Sequence, residues 1–180
     1  MSRFLIRPYR EQDVAGLYAA ADESRREIAR WMGWMSDAYS PEDTAAWVRQ
    51  AIDSWQAAQA YEHVITDATD SSIVGACGLN LMNRVNGFCN LGYWVRASRF
   101  GEGAGRAATL QLRDFAFGTL GLNRLEIVIA DGNHFSRHVA ESAGAKYEGV
   151  REMRLAISGL VHDAHMYVFL NPAAHRAARA

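Results

Sequence analysis

The sequence predicts an α/β fold of the α+β type: a mixed, mostly antiparallel central sheet with one βαβ unit and helices on both faces. Three observations carry that prediction. The runs Glu62–Thr66, Ile73–Leu81 and Phe88–Val95 follow one another across short turns, the pattern of an antiparallel meander. A helical pattern through Leu110, Phe115 and Phe117 then joins Phe88–Val95 to Arg124–Ala130. Two strands of one sheet bridged by a helix run parallel. Near the end, Tyr147–Ile157 and Val161–Leu170 flank Ser158-Gly159 as a hairpin.

Taken in order, Phe4 to Pro8 is a first strand, ended by a proline that cannot donate to a ladder. Asp13 to Asp22 sets Val14, Leu17 and Tyr18 at helical spacing, and a second helix runs from about Arg25 to Trp31. Trp31, Trp34 and Met35 then crowd a loop; a satellite hydrophobic core and a pocket wall both fit them. Ser40-Pro41-Glu42-Asp43 is a helix start, with a capping serine, a proline at the first helical position and acids in the first turn. That helix carries Trp47, Val48, Ile52 and Trp55 on one face and should reach about Gln59. Residues 67–72 and 83–87 are turns of the meander, and Gly75 and Gly78 interrupt its second strand. Gly121 and Asn123 stop the long helix, and Asn133 to Ala143 is a short one closed by Gly144. With no repeat and no linker, residues 1–171 read as a single domain. The alanine- and arginine-rich tail, 172–180, is expected to fray.

The bulk numbers narrow the function. In 180 residues, 19 Lys and Arg face 20 Asp and Glu, so the basic excess of a nucleic-acid binder is missing. A 49% hydrophobic content argues against disorder. Cys77 and Cys89 fall on predicted strands without metal-ligand spacing and read as two buried thiols. The N-terminus lacks the apolar stretch of a signal peptide, and no apolar run approaches the ~20 residues that span a bilayer. A cytoplasmic protein that engages neither membrane nor nucleic acid is expected.

The chemistry concentrates where strand Phe88–Val95 gives way to Phe100-Gly101-Glu102-Gly103-Ala104-Gly105-Arg106 and then to a helix. Strand, glycine loop and helix make an anion site from backbone alone. Glycines let main-chain N–H groups approach a phosphate, and the first helical turn leaves donors unpaired at the positive end of its dipole. No Gly-Lys-Ser/Thr follows, so the loop is not a Walker sequence. Gly103-x-Gly105-x-x-Ala108 with Asp131 can be fitted to the dinucleotide fingerprint, but too little chain follows for the doubly wound sheet that fingerprint serves.

Leu91-Gly92-Tyr93-Trp94-Val95 followed by Phe100 to Gly105 resembles the coenzyme A loop of the GCN5-related N-acetyltransferases (GNAT), specifically the RimJ/RimL branch that acetylates ribosomal-protein N-termini. The family's loop begins with Arg or Gln, where this chain has Phe100. The likeness recurs at Trp31-Met32-Gly33-Trp34, Asn133-x-x-Ser136, Glu148-Gly149 and His162-Asp163-x-x-Met166-Tyr167. It implies acetyl-CoA as co-substrate, no metal, and two splayed central strands ending at Val95 and Ala130. The pantetheine arm would lie between those strands. Backbone amides of Gly101 to Arg106, Glu102 and Ala104 among them, would hold the pyrophosphate, with Arg99 and Arg106 flanking. Tyr93, Trp94 and Val95 would offer backbone groups to the thioester arm. Asn133 is similar to the asparagine that contacts pantetheine, and Ser136 to the residue that protonates the thiolate; both could equally cap their helix. Trp31 and Trp34 would wall the acceptor pocket.

The resemblance leaves the general base open. The glutamate proposed for the ribosomal branch corresponds here to Leu155, and Asn90 stands where the branch often has an acid. Glu62, His63, Glu148 and Glu152 remain as unranked candidates, while His162 and His165 lie three apart on a strand and diverge. The expected reaction is direct attack of an amine on the thioester, the acceptor being a protein N-terminus or a small molecule such as an antibiotic or polyamine. A second copy of the chain is a further candidate partner. An NAD-type oxidoreductase and a non-catalytic acyl-CoA-binding regulator are the readings from other classes.

Overall fold

The computed structural model describes residues 2–177, so the last three residues of the expected tail, and Met1, lie outside the described residues. The strands are β1 (Phe4–Pro8), β2 (Tyr61–Asp67), β3 (Ile73–Asn83), β4 (Phe88–Val95), β5 (Arg124–Ala130), β6 (Lys146–Ile157) and β7 (Leu160–Leu170). The helices are α1 (Val14–Glu23), α2 (Arg25–Ala29), α3 (Pro41–Gln56), α4 (Ala104–Gly118), α5 (His134–Ser142) and α6 (Pro172–Ala177). All seven strands form one sheet in the order β1-β2-β3-β4-β5-β7-β6. Every neighbouring pair is antiparallel except β4 and β5, the pair that α4 connects.

Alternation along the strands divides the core in two. Ile65, Val74, Cys77, Leu79, Leu91, Leu125 and Ile127 face α4 and α5 and pack on Ala104, Ala108, Leu112 and Ala140. Val64, Ile73 and Ala76 face the other way, onto Leu17 and Ala20 of α1 and Val48 and Ala51 of α3. Small residues dominate the contact face of α4, which brings that helix close to the sheet under the glycine loop.

Several boundaries differ from expectation, and α2 closes at Ala29 rather than near Trp31. α3 ends at Gln56 rather than Gln59, because Ala58 turns to φ 53° and sends the chain into β2. At the start of the tail, Asn171 Oδ1 accepts from the Ala173 N–H, and Pro172 opens the short helix α6.

His63 belongs to the core. It sits on the α4 face of β2, 4.8 Å from the Trp55 ring and 5.7 Å from that of Phe115, with its Nδ1 donating to the Tyr61 carbonyl at 3.0 Å. Burial pushes its pKa from 6.5 down to about 4. Between those values the unfolded chain binds the proton and the folded chain does not. The stabilisation is therefore complete above pH 6.5 and drains as the pH falls through the window. About 2 kcal/mol should be lost between pH 7 and pH 5. Denaturant titrations at the two pH values check this, and His63→Phe should flatten the difference.

Candidate active site

The glycine loop joins β4 to α4. Gly101 and Gly103 take φ 79° and 89°, the left-handed region that a β-carbon disfavours, and nothing lies within 4 Å of where either β-carbon would stand. Conformation, not crowding, calls for glycine here. Gly103 is the N-cap of α4 and no side chain caps that helix, so the N–H groups of Ala104, Gly105 and Arg106 open toward the loop. Gly105 has another reason: a β-carbon there would meet Val139 at 3.3 Å, so it sets the approach of α4 to α5.

Remote parts of the chain fix this loop. The Arg96 Nε donates to Glu23 at 2.6 Å, the Ser98 N–H donates to the other Glu23 oxygen at 3.0 Å, and the Ala97 N–H donates to the buried Ser24 Oγ at 2.8 Å. Arg96 and Ser98 hold the Glu23 carboxyl down to about 2. From the opposite side Asp67, shielded from solvent, accepts from Arg3 and Arg99, which keep its pKa far below the usual carboxylate range. Glu102, the one acid inside the loop, is drawn 3.0 Å from both Arg99 and Arg3. Its charge is thereby compensated away from the amides. Arg99 is thus engaged with the scaffold, and Arg106 donates from Nε to the Ser142 carbonyl at 2.9 Å. What the loop itself offers an anion is backbone.

Beyond the loop the sheet opens. β4 pairs with β5 only from Phe88 to Asn90, against Arg124 to Glu126. Leu91 to Val95 and Ile127 to Ala130 then diverge, leaving two strand edges facing one another without ladder bonds. Unpaired main-chain groups inside a sheet call for a partner, and an extended amide-bearing ligand can provide one.

Tyr93 crosses this opening on the α5 side. Its hydroxyl donates to the Ser136 carbonyl at 2.8 Å and lies 3.0 Å from Ser136 Oγ. Burial raises the Tyr93 phenol well above its ordinary pKa, so it stays protonated. Asn133 is a cap, accepting from the Ser136 N–H at 3.1 Å through Oδ1, and its Nδ2 has no hydrogen bond within the described residues. Sequence places Tyr93 and Ser136 43 positions apart; the fold makes them one hydroxyl pair.

The opposite side is aromatic. The Trp34 ring, 45% exposed, lies 6.3 Å from Trp94 on β4 and 5.4 Å from Tyr39. Trp31 reaches the β5–α5 turn, where its Cη2 would be 3.6 Å from a β-carbon at Gly132. The β6–β7 turn closes the end, with the Ser158 nitrogen 3.2 Å from a β-carbon position at Gly33. A half-exposed cleft lined by tryptophans therefore meets the open strands from the face opposite Ser136. Phe100, on the loop, is exposed and packs on the exposed Phe135 at 5.6 Å. It adds no charge to the loop.

Several candidates are not brought to this place. His63 packs on the other sheet face. Glu148 accepts from Arg124 at 2.6 Å, which holds its pKa down. Glu152 is exposed on edge strand β6, and Asp163 accepts from the Met153 N–H at 2.9 Å as a structural pin. Cys77 and Cys89 are buried with their thiols raised, Cys89 to about 12, so neither is an activated nucleophile. The residues missed from sequence are Glu23, Ser24, Asp67 and Arg3, whose alignment under the loop has no local signal.

The chain matches the acetyltransferase (GNAT) domain family over residues 3–146. It is 29% identical over 167 residues to "Putative ribosomal N-acetyltransferase YdaF" of Bacillus subtilis (strain 168), a match spanning 92% of this chain and 90% of that protein. Among solved structures it is similar to ribosomal-protein-S5-alanine acetyltransferase from Vibrio fischeri, with TM-score 0.85, 21% identity, and 96% and 95% of the two chains covered. It is similar as well to RimL, the ribosomal L7/L12 alpha-N-protein acetyltransferase, in complex with coenzyme A, with TM-score 0.86, 22% identity, and 96% and 97% covered. At those identities the two structures speak for the fold. No helix among the described residues is long and apolar enough to cross a membrane.

Proposed function

Because this chain belongs to the acetyltransferase (GNAT) family and is an acetyl-CoA-dependent N-acetyltransferase, we propose that its acceptor is the N-terminal amine of a protein, a ribosomal protein first among them. The observation that carries the reading is the parted β4 and β5, with the uncapped N-terminal amides of α4 at their end and an aromatic cleft on the face opposite Ser136. Two features favour a peptide N-terminus over a polycationic small amine. The cleft walls are aromatic rather than acidic, and relatives named for ribosomal acetylation share the fold over most of their length.

The division of labour follows from the residues. Amides of Gly101 to Arg106, at the positive end of α4, would take the pyrophosphate of acetyl-CoA. The strand edges Leu91–Val95 and Ile127–Ala130 would pair with the amides of its arm, and Asn133 Nδ2 is free to donate to it. The main chain of Tyr93, Trp94 and Val95 can polarise the thioester carbonyl. Trp31 and Trp34 would position the amine, which attacks directly; holding both reactants in one cleft supplies much of the rate. Ser136, oriented by Tyr93, would deliver a proton to the departing thiolate.

A thiol-release assay comparing peptides of different N-termini with small amines tests the acceptor class. Peptides should turn over at least tenfold more efficiently, and preference for a polyamine or aminoglycoside would sink the proposal. Trp34→Ala should raise KM for the peptide by about tenfold, the loss expected for an aromatic contact at a binding surface, while acetyl-CoA affinity stays put.

A further inference from the structure

We propose that Glu62 is the general base, its carboxyl taking the ammonium proton of the acceptor across a lane that two glycines, Gly78 and Gly92, keep clear. This assignment rests on the acetyl-transfer reading above and adds to it the group that makes the amine nucleophilic.

The geometry is a matter of register. Glu62 on β2 stands opposite Gly78 on β3, and Gly78 stands opposite Gly92 on β4. All three share the sheet face of Val64, Ala76 and Trp94, the face that carries the aromatic cleft. The Glu62 side chain lies flat over β3: a β-carbon at Gly78 would fall 1.8 Å from Glu62 Oε2. At Gly92 the nearest atom to a β-carbon position is Asn90 Nδ2, 3.9 Å away, so that strand too is bare. Past Gly92 lies the parting of β4 from β5, which begins just after Asn90. Two side-chain-free strand crossings, each about 4.8 Å, separate the carboxyl from the reaction cleft, a distance that a chain of about two or three hydrogen-bonded waters can bridge.

The surroundings suit a base. Asn80 Nδ2 donates to Glu62 Oε1 at 3.3 Å, and Asn90 Nδ2 donates to Asn80 Oδ1 at 2.9 Å, so side-chain amides orient the carboxyl from the mouth of the opening inward. Among the described residues Oε2 accepts no hydrogen bond, and it keeps contact with solvent. No cation among the described residues pairs with Glu62. Its titratable neighbours are Tyr9 and Cys77, both neutral, with pKa values that burial pushes up. Beyond Asn90, Glu126 is occupied by Arg124 at 2.8 Å. Burial raises the Glu62 pKa, which brings a carboxylate toward the range where it accepts a proton near neutrality.

The protons balance. The ammonium gives one to Glu62 through water, and Glu62 returns it to solvent after turnover. The neutral nitrogen attacks the thioester carbon; the N–C bond forms and the C–S bond breaks. The second nitrogen proton leaves as the amide forms and replaces the one Ser136 passes to the thiolate. The products are amide and free thiol, with one proton released.

The test compares wild type, Glu62→Gln and Gly92→Val by steady-state thiol release with one peptide acceptor, alongside acetyl-CoA calorimetry. Gln keeps the shape and the Asn80 contact, so E62Q should bind acetyl-CoA as wild type does while kcat falls about 100-fold, within the usual range for losing a general base. Its rate should lose the rise with pH that reports the carboxyl, and the deficit should shrink with an acceptor amine of low pKa that is already neutral. Gly92→Val, with Glu62 untouched, should block the lane and lower kcat at least tenfold. An E62Q enzyme matching wild type in kcat and pH profile, or a G92V enzyme with full turnover, overturns the assignment while leaving acetyl transfer standing. A wild type that releases no thiol with any amine defeats the acetyl-transfer reading, and the base with it.

Discussion

Gly103→Val abolishes measurable acetyl-CoA binding and leaves the protein folded. Gly103 stands at φ 89°, where a β-branched residue costs roughly 1–3 kcal/mol, and relaxing that strain rotates the peptide planes that aim the first N–H groups of α4. The space around it is open, so nothing in the core is displaced. A loss of at least about 100-fold in affinity is expected if, as proposed, the phosphate donors are amides of this turn rather than the flanking guanidiniums. Gly144→Val is the matched control. It carries the same backbone penalty at φ 82°, also in open space, but beyond α5. It should lose comparable stability and keep its affinity. Equal affinity for both variants by calorimetry would mean the phosphates are held elsewhere.

Ser136→Ala lowers turnover by about 100-fold with acetyl-CoA affinity nearly unchanged, the split expected of a group that acts as the thiolate leaves. Tyr93→Phe should cost about tenfold, since it removes the hydroxyl that orients Ser136 and ties β4 to α5. Because the two hydroxyls act as a unit, the double variant should be little worse than Ser136→Ala alone. Additive losses in steady-state kinetics would separate the pair, and full turnover in Ser136→Ala would remove the proposed acid.

The sheet, its parallel pair and the terminal hairpin were all legible in advance, as was the glycine loop. The reading of Asn133 and Ser136 stood between cap and site, and the structure gives Asn133 the cap while leaving its Nδ2 free. The flanking arginines read as candidate phosphate ligands, yet Arg99 turns to Asp67 and Glu102, and Arg106 to Ser142. A guanidinium's partner is a question of what the fold brings within reach, and Asp67 is 32 positions from Arg99. The four unranked bases separate for the same reason: Glu62 and His63 are adjacent in the chain but point through opposite faces of β2.

Sequence alone determined what acts over a few residues: the period that makes each strand or helix, the Ser40 cap, and the glycines whose left-handed backbone shapes the turn from β4 to α4. Those effects need no distant partner. Tertiary structure decided the rest. It brought Glu23 and Asp67 under the loop, Tyr93 onto Ser136, and Gly78 and Gly92 into line before Glu62. Such contacts depend on register and on which helix covers which face, and a shift of one residue along a strand would send that strand's side chains to the other side of the sheet.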